Sequence, residues 1–154
     1  MTPMVPDSLG RALALNNAHA AELSLLDPDR LARLVDRAFL AVWAPDEAGF
    51  LIAFDQDAPY ESPNFHWFQD RWRRFVYVDR VVVRPECRGR GHAEALYRLL
   101  FARAAAACHE LIGCEVNIEP PNPASDRFHA RLGFQALGSA GRGIKRVRYL
   151  GRKI

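Results

Sequence analysis

The apolar positions of this chain change period several times, and each change marks an element. Residues 11–17, RALALNN, alternate apolar and polar, the pattern of a half-buried strand. Residues 18–40 turn helical in period: Asp27 stands as an N-cap before Pro28, and Leu31, Leu34, Val35 and Ala38 fall on one face. Residues 39–43 read as a short buried strand. The turn at 45–49 leads into a second strand at 50–54, so a hairpin is expected. Residues 55–74 form a long polar and aromatic segment (Tyr60, Ser62, Asn64, Phe65, His66, Trp67, Phe68, Trp72) in which no period is read. A loop of that length inside a compact domain is functional or partly helical. It reads either as a pocket wall or lid, or as a loop pinned to the core by its aromatics.

Residues 75–84, FVYVDRVVVR, are apolar almost without interruption, which predicts a central strand covered on both faces. Pro85 ends it. Residues 92–108 are an Ala- and Leu-rich helix, 111–117 another strand, and the prolines of 120–123 stop that strand. A short helix at 125–132 is closed by Gly133, and 134–137 with 145–150 read as a final antiparallel pair. Strands followed by strand–helix–strand–helix–strand predict a mixed α/β layered fold.

Length narrows this to one domain: 154 residues suffice for a self-supporting core. Three cysteines, Cys87, Cys108 and Cys114, contain no C-x-x-C pair and leave one over in any pairing, which argues against a disulfide scaffold or a zinc ribbon. Cys87 and Cys108 read as small turn or core residues. No apolar run approaches the length of a spanning helix, and the first residues lack the basic-then-apolar order of a signal peptide. A soluble cytoplasmic protein without membrane partners is the expectation. The net charge of +3 is unevenly placed. Lys145, Arg146, Arg148, Arg152 and Lys153 have no acid among them, and seven arginines lie between residues 71 and 90 against Asp79 and Glu86. Basic clusters attract any polyanion, a phosphate-bearing cofactor included.

The second cluster coincides with the most informative stretch. A strand runs into Arg88-Gly89-Arg90-Gly91-His92-Ala93, a glycine-rich turn that opens a long helix. Such a turn aims unpaired backbone N–H groups at one point, backed by the positive end of the helix dipole, and a pyrophosphate is the expected guest. The pattern is neither G-x-x-x-x-G-K-[ST] nor G-x-G-x-x-G. Arg88 to Ala93, after Val83-Arg-Pro85, resembles the R/Q-x-x-G-x-G/A cofactor signature of the GNAT superfamily of N-acetyltransferases. A second stretch, Asn122-Pro-Ala-Ser125 with His129-Ala-Arg-Leu-Gly133-Phe134, is similar to that family's N-x-x-A/S…Y-x-x-x-G-F helix, and it follows in the right order.

The resemblance implies a mostly antiparallel sheet of six to seven strands with a splayed pair that holds the cofactor. It implies acetyl-CoA as co-substrate, without a metal, and direct acyl transfer to an amine. The pyrophosphate would lie on Arg88, Gly89, Arg90, Gly91, His92 and Ala93, and the pantetheine along Val81, Val82 and Val83. Asn122, Ser125 and Phe128 would meet the cofactor arm. His129 stands where the family commonly carries the tyrosine that protonates the thiolate. An imidazole can serve there, or it is a packing histidine and water supplies the proton. Asp79 and Glu115 are the alternative general bases. Asp79 sits among apolar neighbours and needs a partner, yet strand alternation points Arg80 the other way unless a bulge intervenes. Asn16, Tyr60, Asn64, Trp67 and Asn117 are the acceptor-binding candidates. They suggest a small amine or amino acid first, and a protein N-terminus or lysine second. A non-catalytic acyl-CoA sensor and a nucleic-acid-binding module are the readings from other classes. A homodimer through the last strand is possible on this reading, and nucleic acid is not an expected partner.

Overall fold

The computed structural model describes residues 1–19, 23–143 and 145–154. Seven strands form one sheet: β1 (Thr2–Pro3), β2 (Leu40–Trp43), β3 (Gly49–Asp55), β4 (Phe75–Val83), β5 (Leu111–Asn117), β6 (Gln135–Arg142) and β7 (Lys145–Lys153). Their order is β1-β2-β3-β4-β5-β7-β6, which puts β4 at the centre. Every neighbouring pair is antiparallel except β4–β5. Helices α1 (Leu9–Ala18), α2 (Pro28–Arg37), α3 (Pro63–Gln69), α4 (His92–Ala106) and α5 (Pro123–Arg131) complete the fold. Buried side chains divide into two clusters, one on each face of the sheet. The first joins α1, α2 and α3 to Phe54, Phe75, Tyr77 and Tyr149. The second joins α4 and α5 to Val76, Val78, Ile112 and Cys114. The α/β layered class, the hairpin at β2–β3 and the central, doubly covered β4 agree with the sequence reading.

Three expectations are corrected. Residues 11–17 are helical, because Ala12, Leu15 and Asn16 are the buried set, a helix spacing hidden inside an apparent alternation. Ala, Leu and Arg are strong helix formers, and no β-branched residue in the stretch favours a strand. Of the helix expected over 18–40, Pro28–Arg37 forms, capped by Asp27, whose Oδ1 accepts from Arg30 N at 2.8 Å. Residues 23–27 are not helical, and 20–22 lie outside the described residues. The 55–74 segment, in which no period is read, is helical over Pro63–Gln69: Phe65 and Phe68 are its buried positions, Trp72 packs on Phe68 beyond its end, and Ser62 caps α3 ahead of Pro63. The closing strands also run longer than expected, to Arg142 and Lys153.

Helix α3 is fixed by its aromatics. Phe65 and Phe68 are fully buried, each contributing about 1.5–3 kcal/mol by transfer from water. Phe68 seats over Gly113 of β5, where a β-carbon would come within 2.7 Å of the ring Cζ. Trp67 stacks on Tyr149 with centroids 4.1 Å apart. Gly113→Ala therefore either displaces the ring or strains the strand. It is expected to lower stability in urea unfolding by about 1–3 kcal/mol, the range for overpacking a core. Wild-type stability in that variant would remove Gly113 from the seating of α3.

Candidate active site in the fork between two strands

β4 and β5 pair only over their first residues, Phe75, Val76 and Tyr77 against Leu111, Ile112 and Gly113. Beyond that point β4 stays with β3 and β5 stays with β7, so the two strands diverge. A β-bulge accompanies the divergence: Ala53 faces Val78 and Ile52 faces Arg80, leaving Asp79 as the extra residue. The bulge inverts the alternation that the sequence suggested. Phe75 and Tyr77 before it, and Val82 after it, all face the α1–α3 layer. Asp79 and Arg80 are thereby brought together, Nε to Oδ2 at 2.7 Å, with side chains 5% and 4% exposed.

The fork opens a cavity of about 460 Å³ lined on one side by Val78, Asp79, Arg80 and Val81, and on the other by Cys114, Glu115, Val116 and Asn117. Tyr97, Asn122, Ser125 and His129 close it from the α4–α5 layer, and Leu23 from the other. Seven sequence candidates thus meet in one space: Asp79, Val81, Glu115, Asn117, Asn122, Ser125 and His129.

The two carboxylates differ in their surroundings. Both oxygens of Asp79 are held, Oδ1 by a short hydrogen bond from the Tyr60 hydroxyl and Oδ2 by Arg80. Arg80 in turn donates to Asn16 Oδ1 at 2.8 Å and to Ser24 Oγ at 3.3 Å, which ties the bulge to α1. Glu115 has no cation bonded to it among the described residues. Tyr77 donates to its Oε2 at 2.6 Å, and Asn64, itself accepting from Tyr149 at 2.8 Å, donates to it as well. Burial pushes the Glu115 carboxyl up to about 7, helped by the charge of Asp79 and opposed by the two hydrogen bonds. Burial and Glu115 likewise raise Tyr77, and burial with Asp79 raises Tyr60.

On the opposite side of the fork, His129 is buried against Tyr97. Its Nδ1 lies 2.8 Å from the Ser125 carbonyl, an acceptor, so the ring proton sits on Nδ1. Its Nε2, 3.3 Å from the Tyr97 hydroxyl, is then an acceptor. Burial lowers the His129 pKa below the usual imidazole value, which favours this neutral form. A neutral imidazole protonated on Nδ1 has no proton to offer from Nε2, so the geometry does not suit His129 as a proton donor.

The glycine-rich turn lies beyond the end of β4. Gly91 (φ +81) is the N-cap of α4 and Gly89 (φ +77) precedes it, backbone conformations that favour glycine. The first-turn N–H groups of α4 have no intrahelical partners. Arg88 and Arg90 are exposed, and the Arg88 guanidinium donates to His19 Nε2 at 3.1 Å, at the end of α1. The turn could hold a phosphate group and the fork a chain of amides. The remaining candidates stand apart from the cavity lining. Val82 is buried toward the α1–α3 layer, so a cofactor in the fork would meet its backbone rather than its side chain. Val83 follows it at the end of β4, and Phe128 packs into the α4–α5 layer. Asn16 is fully buried, its amide bonded to Asn17 Oδ1 and the Ser24 carbonyl, which corrects its expected contact with an acceptor. Trp67 has both ring faces occupied, by Tyr149 and by the Arg71 guanidinium 4.0 Å from its centroid; it positions α3. Tyr60 and Asn64 are hydrogen-bonded to Asp79 and Glu115. Tyr77, Tyr97, Arg80 and Tyr149 were missed by sequence reasoning. For Tyr97 the signal was a lone polar tip on the apolar face Leu96, Tyr97, Leu100, Phe101, Ala104.

No helix among the described residues is long and apolar enough to cross a membrane. Residues 15–134 match the acetyltransferase (GNAT) family. The phosphinothricin N-acetyltransferase of Streptomyces coelicolor is 39% identical over 74 residues, a stretch that spans 48% of this chain and 38% of that protein. The crystal structure of a ribosomal-protein-alanine N-acetyltransferase from Brucella melitensis superposes with a TM-score of 0.74 at 18% identity, covering 98% of this chain and 97% of that one. A putative acetyltransferase, yncA, from Salmonella typhimurium, solved with its cofactor acetyl-CoA, gives 0.70 at 18% identity, over 97% and 90%. With its glycine-rich turn, its forked central strands and a family match over most of its length, this chain belongs to the acetyltransferase (GNAT) family.

Proposed function

We propose that the protein transfers the acetyl group of acetyl-CoA directly to the primary amine of a small molecule or amino acid, with Glu115 as general base. The observation that carries this reading is the fork itself. Glu115, its carboxyl raised to about 7, lines the cleft between β4 and β5, and the chain beyond the end of β4 makes the glycine-rich turn that opens α4. The pyrophosphate of the cofactor rests on the amides of Arg88 to Ala93, and the pantetheine runs beside Val81 into the fork. Asn122 and Ser125 flank the arm. Glu115 takes a proton from the incoming ammonium, and the neutral amine attacks the thioester carbonyl. Asp79, whose two oxygens are already bonded, shapes the field around Glu115 rather than accepting the proton. The small acceptor is supported by the likeness to a phosphinothricin N-acetyltransferase. Three free thiols suit a reducing compartment.

Calorimetric titration tests the cofactor site. Acetyl-CoA and CoA are expected to bind the wild type. Gly91→Val should weaken both by about tenfold or more, since a side chain at that φ costs roughly 1–2 kcal/mol and relaxes the turn. A wild-type protein that takes up neither overturns the reading. The base is tested by the pH dependence of amine-dependent CoA release across a panel of small amines and peptides. The working form of Glu115 is the carboxylate, so kcat/KM should fall as pH drops below about 7. In Glu115→Gln that limb should vanish, with a loss of about 10²–10⁴-fold. An acid limb unchanged in the variant assigns the base elsewhere, and turnover of peptides alone moves the acceptor to proteins.

A further inference from the structure

From the buried contact between α4 and α5, resting on the acetyltransferase reading above, we infer that the Tyr97 hydroxyl is the hydrogen-bond and proton donor to the departing sulfur, with His129 as its positioning residue. Tyr97 lines the fork on the α4–α5 side, the side opposite Glu115, together with Cys114, Ser125 and His129. A thioester entering from the glycine-rich turn therefore has Tyr97 on one hand and the base on the other. The hydroxyl is aimed by a chain of fixed polarity: the Ser125 carbonyl accepts from His129 Nδ1–H, and His129 Nε2 accepts from Tyr97 O–H. Edge-on packing of the two rings, 5.8 Å between centroids at 90°, holds the pair.

At 3.3 Å the bond from Tyr97 to His129 is long for a hydroxyl donor, so its proton can swing to a stronger acceptor as charge grows on sulfur. Protons and electrons then balance over two steps. Glu115 first takes one proton from the ammonium, and the C–N bond forms to give a tetrahedral adduct. On collapse the C–S bond breaks with its electron pair passing to sulfur. Sulfur takes the Tyr97 proton, and Tyr97 is refilled by the second proton that the nitrogen sheds. Burial raises the Tyr97 pKa well above its usual value, so the hydroxyl holds its proton before the thioester arrives. A histidine at this place in α5 thus does by orientation what a donor there would do by transfer.

The test is a double-mutant cycle of Tyr97→Phe and His129→Leu, read by amine-dependent CoA release, acetyl-CoA calorimetry and Tm. Tyr97→Phe should lower kcat by about 10²-fold with the acetyl-CoA Kd unchanged. His129→Leu should lower kcat by a smaller factor and add nothing in the Tyr97→Phe background. His129→Gln, which keeps an acceptor, should recover part of the loss. The Tyr97→Phe defect should also shrink when the acyl donor is an aryl thioester, whose thiolate is stable without a donor. Wild-type kcat in Tyr97→Phe, losses that multiply in the double variant, a loss confined to acetyl-CoA binding, or a defect equal for both donors would each overturn the inference. A wild type inactive with every amine would instead count against the acetyltransferase reading on which it rests.

Discussion

The buried pair of Asp79 and Arg80 decides how the centre of the molecule is arranged. Two adjacent residues of a regular strand point to opposite faces and cannot bond side by side. The bulge in β4 removes that restriction and turns both toward the α1–α3 layer, where their side chains are almost fully enclosed. A charge placed there without a partner is strongly destabilising, and the pair resolves this for both. Each member then reaches further, Arg80 to Asn16 and Ser24, Asp79 to Tyr60. Asn16 and Asn17 satisfy the backbone of residues 24 and 26, so the segment after α1 is tied to the bulge through side-chain amides. The end of α1 and the inner wall of the cleft are therefore one polar network.

Divergence of β4 and β5 turns this anchor into a site. Each strand keeps a partner on its outer edge, so the fork exposes the inner edges while the rest of the sheet remains paired. The fork also separates two hydrogen-bonded groups of polar side chains. Toward the α1–α3 layer stand Glu115, Tyr77 and Asn64; toward the α4–α5 layer stand Tyr97, His129 and Ser125. Glu115 carries a stability cost in this arrangement. Its carboxyl titrates near 4.5 when unfolded and near 7 when folded, so the native state binds more protons in that window. Stability falls as pH rises through it, and above about 7 the full cost of a buried carboxylate is present. Natural proteins accept such costs where the group has chemical work to do.

The parts of the fold that were legible in the sequence rest on local rules. The glycine-rich turn, the proline stop after β4, the Asp27 cap and the continuous apolar run of β4 each follow from backbone geometry or burial acting on neighbours in the chain. The α1 segment was misread because alternating Ala and Leu fit a strand and a helix equally until the fold decides which three positions are buried. The aromatic segment was misread because Trp67, facing Tyr149, and Trp72, beyond the end of α3, obscured the spacing of Phe65 and Phe68. That Asp79 needs a partner, and that Arg80 could be it only across a bulge, was legible; that the bulge is there was not, since it is a relation between strands. Tyr77, Tyr97 and Tyr149 were hidden for another reason: a tyrosine in an apolar run is counted with the core, and only the fold shows where its hydroxyl ends.

If the bulge pair is the anchor, removing its cation leaves a buried carboxylate without compensation and frees α1 from the sheet centre. Equilibrium urea unfolding of Arg80→Leu, with amine-dependent CoA release measured on the folded fraction, addresses this directly. The account predicts a stability loss of about 3–5 kcal/mol, as for other broken buried pairs, together with loss of turnover. An Arg80→Leu protein with wild-type stability and wild-type turnover would contradict it.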